Sequence, residues 1–391
     1  MLLQSENWVE KEIELIKERG LYRKFRTIES IPSPQVKIEG IEMIMASSNN
    51  YLGLSGDQRL IDAAIKAIKS YGVGSTGSRL TTGNTVWHGR LEERLAQFKQ
   101  EEAALVFSSG YLANVGVISS IAGKGDVILS DQLNHASLID GCRLSKAKSV
   151  IYRHVDCKDL EEKLKHSQAY QRRFIVTDSV FSMDGNIAPL QEIVTLAKNY
   201  QAFVIVDDAH ATGVIGENGR GASEHCNTEI DITIGTLSKA IGTEGGFVTG
   251  SKTMIEFLRN QARSFIFQTA LPPGSIAATL KAIDIIETNR NLQERLHRWI
   301  HRLRNQLTDY GFDVRGDGTP IVPVVIGEAD KAVQFSELLE TEGVFAPAIR
   351  PPTVPEGESR IRMTVMAAYE EKQIKQICQA FYKAGKELGV I

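Results

Sequence analysis

The sequence predicts an α/β fold: a largely parallel sheet covered by helices on both faces, followed by a smaller C-terminal unit. Three observations predict it. Short apolar runs recur between Ala103 and Thr249, and helical stretches fit between most of them. Those runs are nearly continuous rather than alternating, as expected of strands buried on both faces. Polar residues stand just after Phe107, Val176, Val206 and Ile234, at strand ends where such sheets gather ligands.

Taken in order, residues 9–19 have helical spacing and stop at Gly20. Residues 41–46 read as a strand, closed by the polar turn Ser47-Ser48-Asn49-Asn50. Two amphipathic helices, 58–71 and 85–99, flank a segment from Gly72 to Arg79 too rich in glycine for either regular element. Strands are expected at 103–107, 127–129, 150–152, 174–176, 202–206, 232–234 and 246–249. After Pro272-Pro273-Gly274 one long helical segment should reach about Tyr310, its later half charged like a connector between domains. Residues 321–326 and 361–365 read as strands of the small unit, and 371–388 as its last helix. The expected division is an N-terminal helix and segment (1–45), a large domain (46–285) and a small C-terminal domain (286–391).

Composition narrows the function classes. The chain has 391 residues, 42% hydrophobic and 24% charged, which is globular and long enough for more than one domain. A net charge of −3 offers no electrostatic reason to expect nucleic acid. The four cysteines (Cys142, Cys157, Cys226, Cys378) lie far apart, so reduced thiols are expected rather than a disulfide framework or a metal site. Residues 1–8 lack the basic start and apolar stretch of a signal peptide. No uncharged apolar run approaches the roughly 20 residues needed to span a bilayer. The expectation is a soluble cytoplasmic enzyme without a metal.

The chemistry centres on Lys239, in Gly235-Thr236-Leu237-Ser238-Lys239-Ala240, just after an apolar strand. An earlier strand delivers Asp207, Asp208 and His210. A lysine able to hold an aldehyde as an imine, and a carboxylate able to keep a pyridine nitrogen protonated, suit pyridoxal phosphate chemistry. An exposed lysine and an Asp-Asp helix cap are the structural alternatives. Ser108-Ser109-Gly110-Tyr111 opens a helix after a strand, which suits a phosphate or a plain N-cap, and Thr236 and Ser238 can add hydroxyls. His135 follows another strand and can stack on a ring or be a loop histidine. Asp178 and Ser182 follow the strand at Val176. Arg362 alternates with apolar residues on a strand and can clamp a carboxylate.

These pieces assemble into a known pattern. Over almost its whole length the chain resembles the α-oxoamine synthases of the fold-type I pyridoxal phosphate enzymes. The resemblance rests on six ordered motifs: Ser47 to Leu54, Phe107 to Tyr111, Asp131 to Ser137, Val180 to Gly185, Val206 to His210 and Gly235 to Lys239. It implies a large domain with a mostly parallel seven-stranded sheet and a small α+β C-terminal domain. It implies pyridoxal 5'-phosphate as cofactor, with Lys239 as its imine-forming lysine. Asp207 would pair with the ring nitrogen, His210 would contact the phenolic oxygen and His135 would stack on the ring. Gly110, Tyr111, Ser182 and Thr236 would help to hold the cofactor, and Thr269 would reach the phosphate of a partner subunit. Arg362 would bind the substrate carboxylate, with Arg23, Asn49, His135 and Thr353 lining the substrate site. Family members are homodimers with shared active sites.

Gly74 to Leu80, with Arg350-Pro351-Pro352-Thr353-Val354-Pro355, is similar to the branch that joins L-alanine to a pimeloyl thioester in biotin synthesis. The carrier would be coenzyme A or acyl carrier protein, and Lys146, Lys148, Arg172 and Arg173 are candidates to meet an acidic carrier. The runner-up is the glycine C-acetyltransferase branch. Family enzymes often have glutamate where this chain has Asp178, whose role stays open.

Overall fold

The computed structural model describes residues 3–391, with side chains from residue 7 onward, so Met1 and Leu2 of the N-terminal segment lie outside the described residues. The chain opens with α1 (Leu3–Glu18) and the antiparallel pair β1 (Gln35–Ile38) and β2 (Ile41–Met45). Two helices follow, α2 (Gln58–Tyr71) and α3 (Val86–Lys99). Asp57 caps α2 by accepting from the Arg59 N–H, and Gly72 ends it at φ 80°.

Then strands and helices alternate: β3 (Ala103–Phe107), α4 (Gly110–Ile121), β4 (Val127–Asp131), α5 (Ala136–Ser145), β5 (Lys148–Tyr152), α6 (Cys157–Lys165), β6 (Arg173–Asp178), α7 (Leu190–Tyr200), β7 (Ala202–Asp207), α8 (Ala222–Cys226), β8 (Ile232–Thr236) and β9 (Gly246–Gly250). Seven of these strands form one sheet in the order β3-β9-β8-β7-β6-β4-β5, and β9 alone runs antiparallel to its neighbours. Alternate side chains enter two cores. Val204 and Val206 join one, Ile205 the other; Val127 and Leu129 are separated from Ile128 in the same way. This is why the strand sequences read as unbroken apolar runs.

The rest of the chain is α9 (Lys252–Gln261), α10 (Arg263–Ile266), α11 (Pro273–Thr288), α12 (Asn291–Asp309), β10 (Asp313–Val314), β11 (Ile321–Gly327), α13 (Ala329–Thr341), β12 (Val344–Phe345), β13 (Ala348–Ile349), β14 (Ser359–Thr364) and α14 (Glu371–Glu387). The long helix expected to reach Tyr310 is two helices, broken where Asn289 leaves helical geometry at φ −127°, ψ 75°. The four-stranded sheet β10-β11-β14-β13 forms the small unit. The short strand β12 instead pairs in parallel with β2, so the N-terminal hairpin docks on the C-terminal unit. The four cysteines are free. Among the described residues, no helix is long and apolar enough to cross a membrane, and no cluster of three His, Cys, Asp or Glu suits a metal ion.

One of the basic residues expected to meet a carrier is used inside the fold: buried Arg173 donates to the carbonyls of Tyr200 and Tyr170. Arg172 Nη2 pairs with Asp126 at 2.6 Å while about half of its side chain stays exposed.

Candidate active site

The site forms where the parallel strands end. β6 and β7 are paired in register to their last residues, so Asp178 and Asp207 stand side by side at the rim. Asp207 is 5% exposed and anchored twice: its Oδ1 accepts from the Ala209 N–H at 2.9 Å, and its Oδ2 accepts from Asn114 Nδ2 at 2.6 Å. Asp178 is buried and accepts from the His135 N–H at 2.7 Å. Burial first, and the neighbouring Asp207 second, raise its pKa well above the ordinary carboxylate range.

Asp208 has the opposite fate. Successive residues leave a strand in opposite directions, and Asp208 pairs with the buried Lys99 ammonium at 2.7 Å, both side chains about 1% exposed. Thr212 Oγ1 and the Ala222 N–H also donate to it. Of the two adjacent aspartates, one faces the site and one staples the loop beneath it. Gly221 (φ 102°) makes room, since a Cβ there would stand 1.8 Å from Asp208 Oδ2.

Lys239 follows β8 and is half-buried, with its Nζ 3.0 Å from His210 Nε2. Burial pushes the amine below the usual lysine range, against the pull of Asp207 and Asp178. His210 Nδ1 lies 2.7 Å from the Tyr51 hydroxyl. Burial, reinforced by Lys239, Arg362 and His135, keeps His210 neutral far below its ordinary value. Burial also raises the Tyr51 phenol to about 12.

His135 caps α5. Its Nδ1 accepts from the Ser137 N–H at 3.3 Å and lies 2.7 Å from Ser137 Oγ, which accepts from Asn114 Nδ2 at 2.8 Å. Asp207 is an acceptor only, so Asn114 must face it with its amide nitrogen. The chain Asp207–Asn114–Ser137 therefore leaves His135 Nδ1 as an acceptor and places the ring proton on Nε2. The surrounding protein lowers the His135 pKa by desolvation, Asp207 opposing and Lys239 adding to it.

Gly110 starts α4, a helix with Ser109 as its N-cap. A Cβ at Gly110 would stand 3.1 Å from Thr236 Cβ, so the helix N-terminus and the end of β8 meet closely there. Thr236 Oγ1 lies 2.8 Å from Ser238 Oγ. Tyr111 is exposed, and its hydroxyl donates to Asp140. Exposed Thr269 is bridged to Ser78, and its carbonyl accepts from Ser108 Oγ at 2.9 Å.

From the small unit, β14 delivers Arg362, 7% exposed. Its Nη2 donates to Asn49 Oδ1 at 3.2 Å and its Nε to the Ser182 carbonyl. Arg360 on the same strand pairs with Asp184 at 2.6 Å, so two arginines grip the 182–184 loop. Arg23 and Thr353 are exposed, and their segments are tied together where Arg350 Nη2 donates to the Gly20 carbonyl at 2.6 Å.

Lys239, His210, Asn49 and Arg362 are thus linked through Tyr51, and Asp207 and His135 form a second network through Asn114 and Ser137; Arg23 and Thr353 sit apart from both. Sequence reading passed over Asn114 and Ser137, and it assigned Tyr51 no role. A lone amide inside the apolar helix Gly110–Ile121 was the signal for Asn114.

A donor set of this kind fits a phosphorylated pyridine. It offers a fixed carboxylate, an amine of lowered pKa and a tightly packed helix N-terminus beside two hydroxyls. Together with the sheet order, it defines a pyridoxal phosphate-type transferase of fold type I. The chain belongs to the class I and II aminotransferase family, whose family model matches residues 41–381. It is 57% identical over 389 residues to 8-amino-7-oxononanoate synthase 2 of Bacillus subtilis (strain 168), covering 100% of both chains. The solved serine palmitoyltransferase from S. paucimobilis, with a bound PLP–myriocin aldimine, superposes with a TM-score of 0.93 at 33% identity over 100% of both chains. The 8-amino-7-oxononanoate synthase of Francisella tularensis gives 0.77 at 29% identity, covering 89% of this chain and 99% of that one. Backbone similarity therefore does not by itself sort the branches of the family by acyl group.

Proposed function

We propose that this enzyme condenses L-alanine with a pimeloyl thioester, releasing carbon dioxide and the carrier thiol and giving 8-amino-7-oxononanoate for biotin synthesis. The observation that carries the reading is the 57% identity, end to end, with the B. subtilis enzyme of that name. Pyridoxal 5'-phosphate is the cofactor. Asp207 holds its ring nitrogen and His135 covers its face; the Gly110 and Tyr111 N–H groups, Thr236 and Ser182 hold the remainder. When bound, it supplies an electron sink for a carbanion at the amino acid's Cα.

The chain's own residues do the rest. Lys239 would hold the cofactor through its amine and, with its pKa lowered, would take the Cα proton of bound alanine. Arg362 and Asn49 bind the alanine carboxylate, and Arg362 suits a bidentate pair. Thr353 and Arg23 stand on the approach for the acyl chain and its distal carboxylate. The runner-up donors are glycine and acetyl-CoA.

We also propose a homodimer with shared sites. Exposed Val73, Leu80 and Phe267 stand within a few residues of Ser78 or Thr269, which are bridged to each other, and exposed apolar side chains there suit contact with a second copy. Thr269 would serve the neighbour's phosphate. Four free cysteines suit a cytoplasmic location.

Mass spectrometry of products is the test, with alanine, glycine and serine competing and pimeloyl-, acetyl- and palmitoyl-CoA offered together. The expected product is 8-amino-7-oxononanoate; a predominant glycine or serine adduct would overturn the assignment. Pimeloyl-acyl carrier protein as a separate donor identifies the carrier.

A further inference from the structure

His154 follows β5, outside the networks described above, and reaches two segments that carry candidate site residues. Its Nδ1 lies 2.9 Å from Asp131 Oδ1, at the end of β4, and its Nε2 lies 3.0 Å from Asn186 Nδ2. The Phe181 ring meets the imidazole edge to face, with centroids 4.4 Å apart and planes at 90°. The Asp131 carboxylate also accepts from the Leu133 N–H at 2.8 Å and the Val155 N–H at 2.9 Å, and is buried. A carboxylate surrounded by donors accepts from each, so His154 Nδ1 carries a proton. In the neutral ring, Nε2 then accepts from the Asn186 amide nitrogen. Burial disfavours the charged ring, but the Asp131 bond and charge outweigh it, with Asp184 and Asn186 adding, and the pKa is raised overall. When the ring is charged, half a turn of the Asn186 amide presents Oδ1, which is buried with no other partner. The bridge therefore stands in both charge states.

We infer that His154 is a positioning residue that ties the turn carrying His135 to the loop carrying Ser182. The inference rests on the reading proposed above that these two residues serve the cofactor, but not on the identity of the acyl donor.

Each end of the bridge governs a short segment. The β4–β6 ladder stops at Ser130 and Val176, so side chains join what lies beyond the rim. In the first segment, the Asn134 N–H donates to the Asp131 carbonyl at 3.3 Å. Asn134 Nδ2 donates to the Val176 carbonyl at 2.8 Å, and its Oδ1 accepts from the Asp178 N–H at 3.0 Å. Fixing the Asp131 carboxylate thus fixes the backbone that leads into His135. In the second segment, the Asn186 carbonyl accepts from the Phe181 N–H at 3.0 Å, and the Gly185 N–H donates to the Phe181 carbonyl at 2.8 Å. Val180 and Ile187 are bridged, and Gly185 turns the chain at φ 66°. Asn186 thus closes the loop that contains Ser182 and Asp184. Arg360 and Arg362 hold that loop from the small unit, and His154 holds it from the large sheet.

Hydrogen exchange by mass spectrometry on the full chain tests the bridge without substrate. His154→Ala should speed exchange about fivefold in peptides covering both 131–137 and 180–188, as for one net hydrogen bond lost at each end. Two conservative variants separate the ends. His154→Asn puts an amide where Nδ1 stood, so it should restore 131–137 and leave 180–188 fast. His154→Gln reaches the Nε2 position and should do the reverse. In the holoenzyme, His154→Ala should weaken the visible circular dichroism per bound cofactor and lower kcat roughly fivefold, with KM for alanine within about twofold. Exchange unchanged in either segment, acceleration spread evenly over the whole chain, or unchanged dichroism per bound cofactor overturns the inference. Failure of the functional reading shows elsewhere, as wild-type chain that gains no visible absorbance with pyridoxal 5'-phosphate.

Discussion

His135 and His210 both feel the charge of Lys239, and their hydrogen-bond chains end on opposite kinds of group. The His135 chain ends on Asp207, a pure acceptor, and runs through Asn114 and Ser137. The His210 chain ends on Arg362, a pure donor, and runs through Asn49 and Tyr51. An acceptor at the far end leaves His135 with its ring proton on Nε2; a donor at the far end turns the Asn49 carbonyl toward both Arg362 and Tyr51. The lesson is that a histidine's chemical role can be set two residues away, by a charged group it never touches. The two wires also come from different parts of the molecule: the first lies within the large sheet and its helices, and the second crosses to the small unit.

The comparison can be broken most severely at its shared centre. Lys239→Ala removes the amine and should cut product formation by at least about a thousandfold. The variant should also lose the absorbance that borohydride fixes on the wild-type chain; full activity would defeat the assignment. Asp207→Asn comes next. An amide is both donor and acceptor, so the His135 wire loses its fixed direction, and the cofactor nitrogen loses its counter-charge. A loss on the order of a hundredfold in kcat is expected, along with a mixed His135 tautomer by nitrogen NMR and an unchanged His210.

Ser137→Ala is gentler. His135 Nδ1 keeps the Ser137 N–H but loses the hydroxyl, a hydrogen bond worth about 1 kcal/mol. Steady-state kinetics should show a several-fold fall in kcat, and a fall larger than about a hundredfold would mean that Ser137 does more than orient the ring.

The smallest effect is expected at Asp178. Its folded pKa is raised, so above the ordinary carboxylate pKa the folded state holds a proton that the unfolded state has released. The stability contributed by that proton is present at low pH and is lost as pH rises through the folded value. Asp178→Asn keeps an acceptor for the His135 N–H and carries no charge. The variant should retain most of its activity, and its thermal midpoint should fall less than that of wild type as pH rises above the ordinary carboxylate range. A thermal profile parallel to wild type would show that Asp178 is not the proton-holding member of the pair.

Much of this was legible in the chain as written. The unbroken apolar runs announced strands buried on both faces, and the residues after Val176, Val206 and Ile234 announced the rim. The structure puts Lys239 beside His210, Asp207 at the end of its strand and Arg362 beside Asn49. The break at Asn289 was not legible, because the helical pattern on either side of it is continuous. Nor was the parallel pairing of β2 with β12, since residues 44 and 344 share no local signal. Arg173 looked like partner-binding charge because sequence shows a residue's type and not its acceptors.

Sequence by itself determined which chemical groups exist and which ends of which strands carry them, because periodicity and strand-end position are local properties. Only the tertiary structure decided that Asp208 pairs with Lys99 while Asp207 is tied to Asn114. It also decided which nitrogen of His135 holds a proton. Those choices follow from the direction in which a side chain leaves its strand and from whether a distant partner can only donate or only accept, and neither is written in the order of residues.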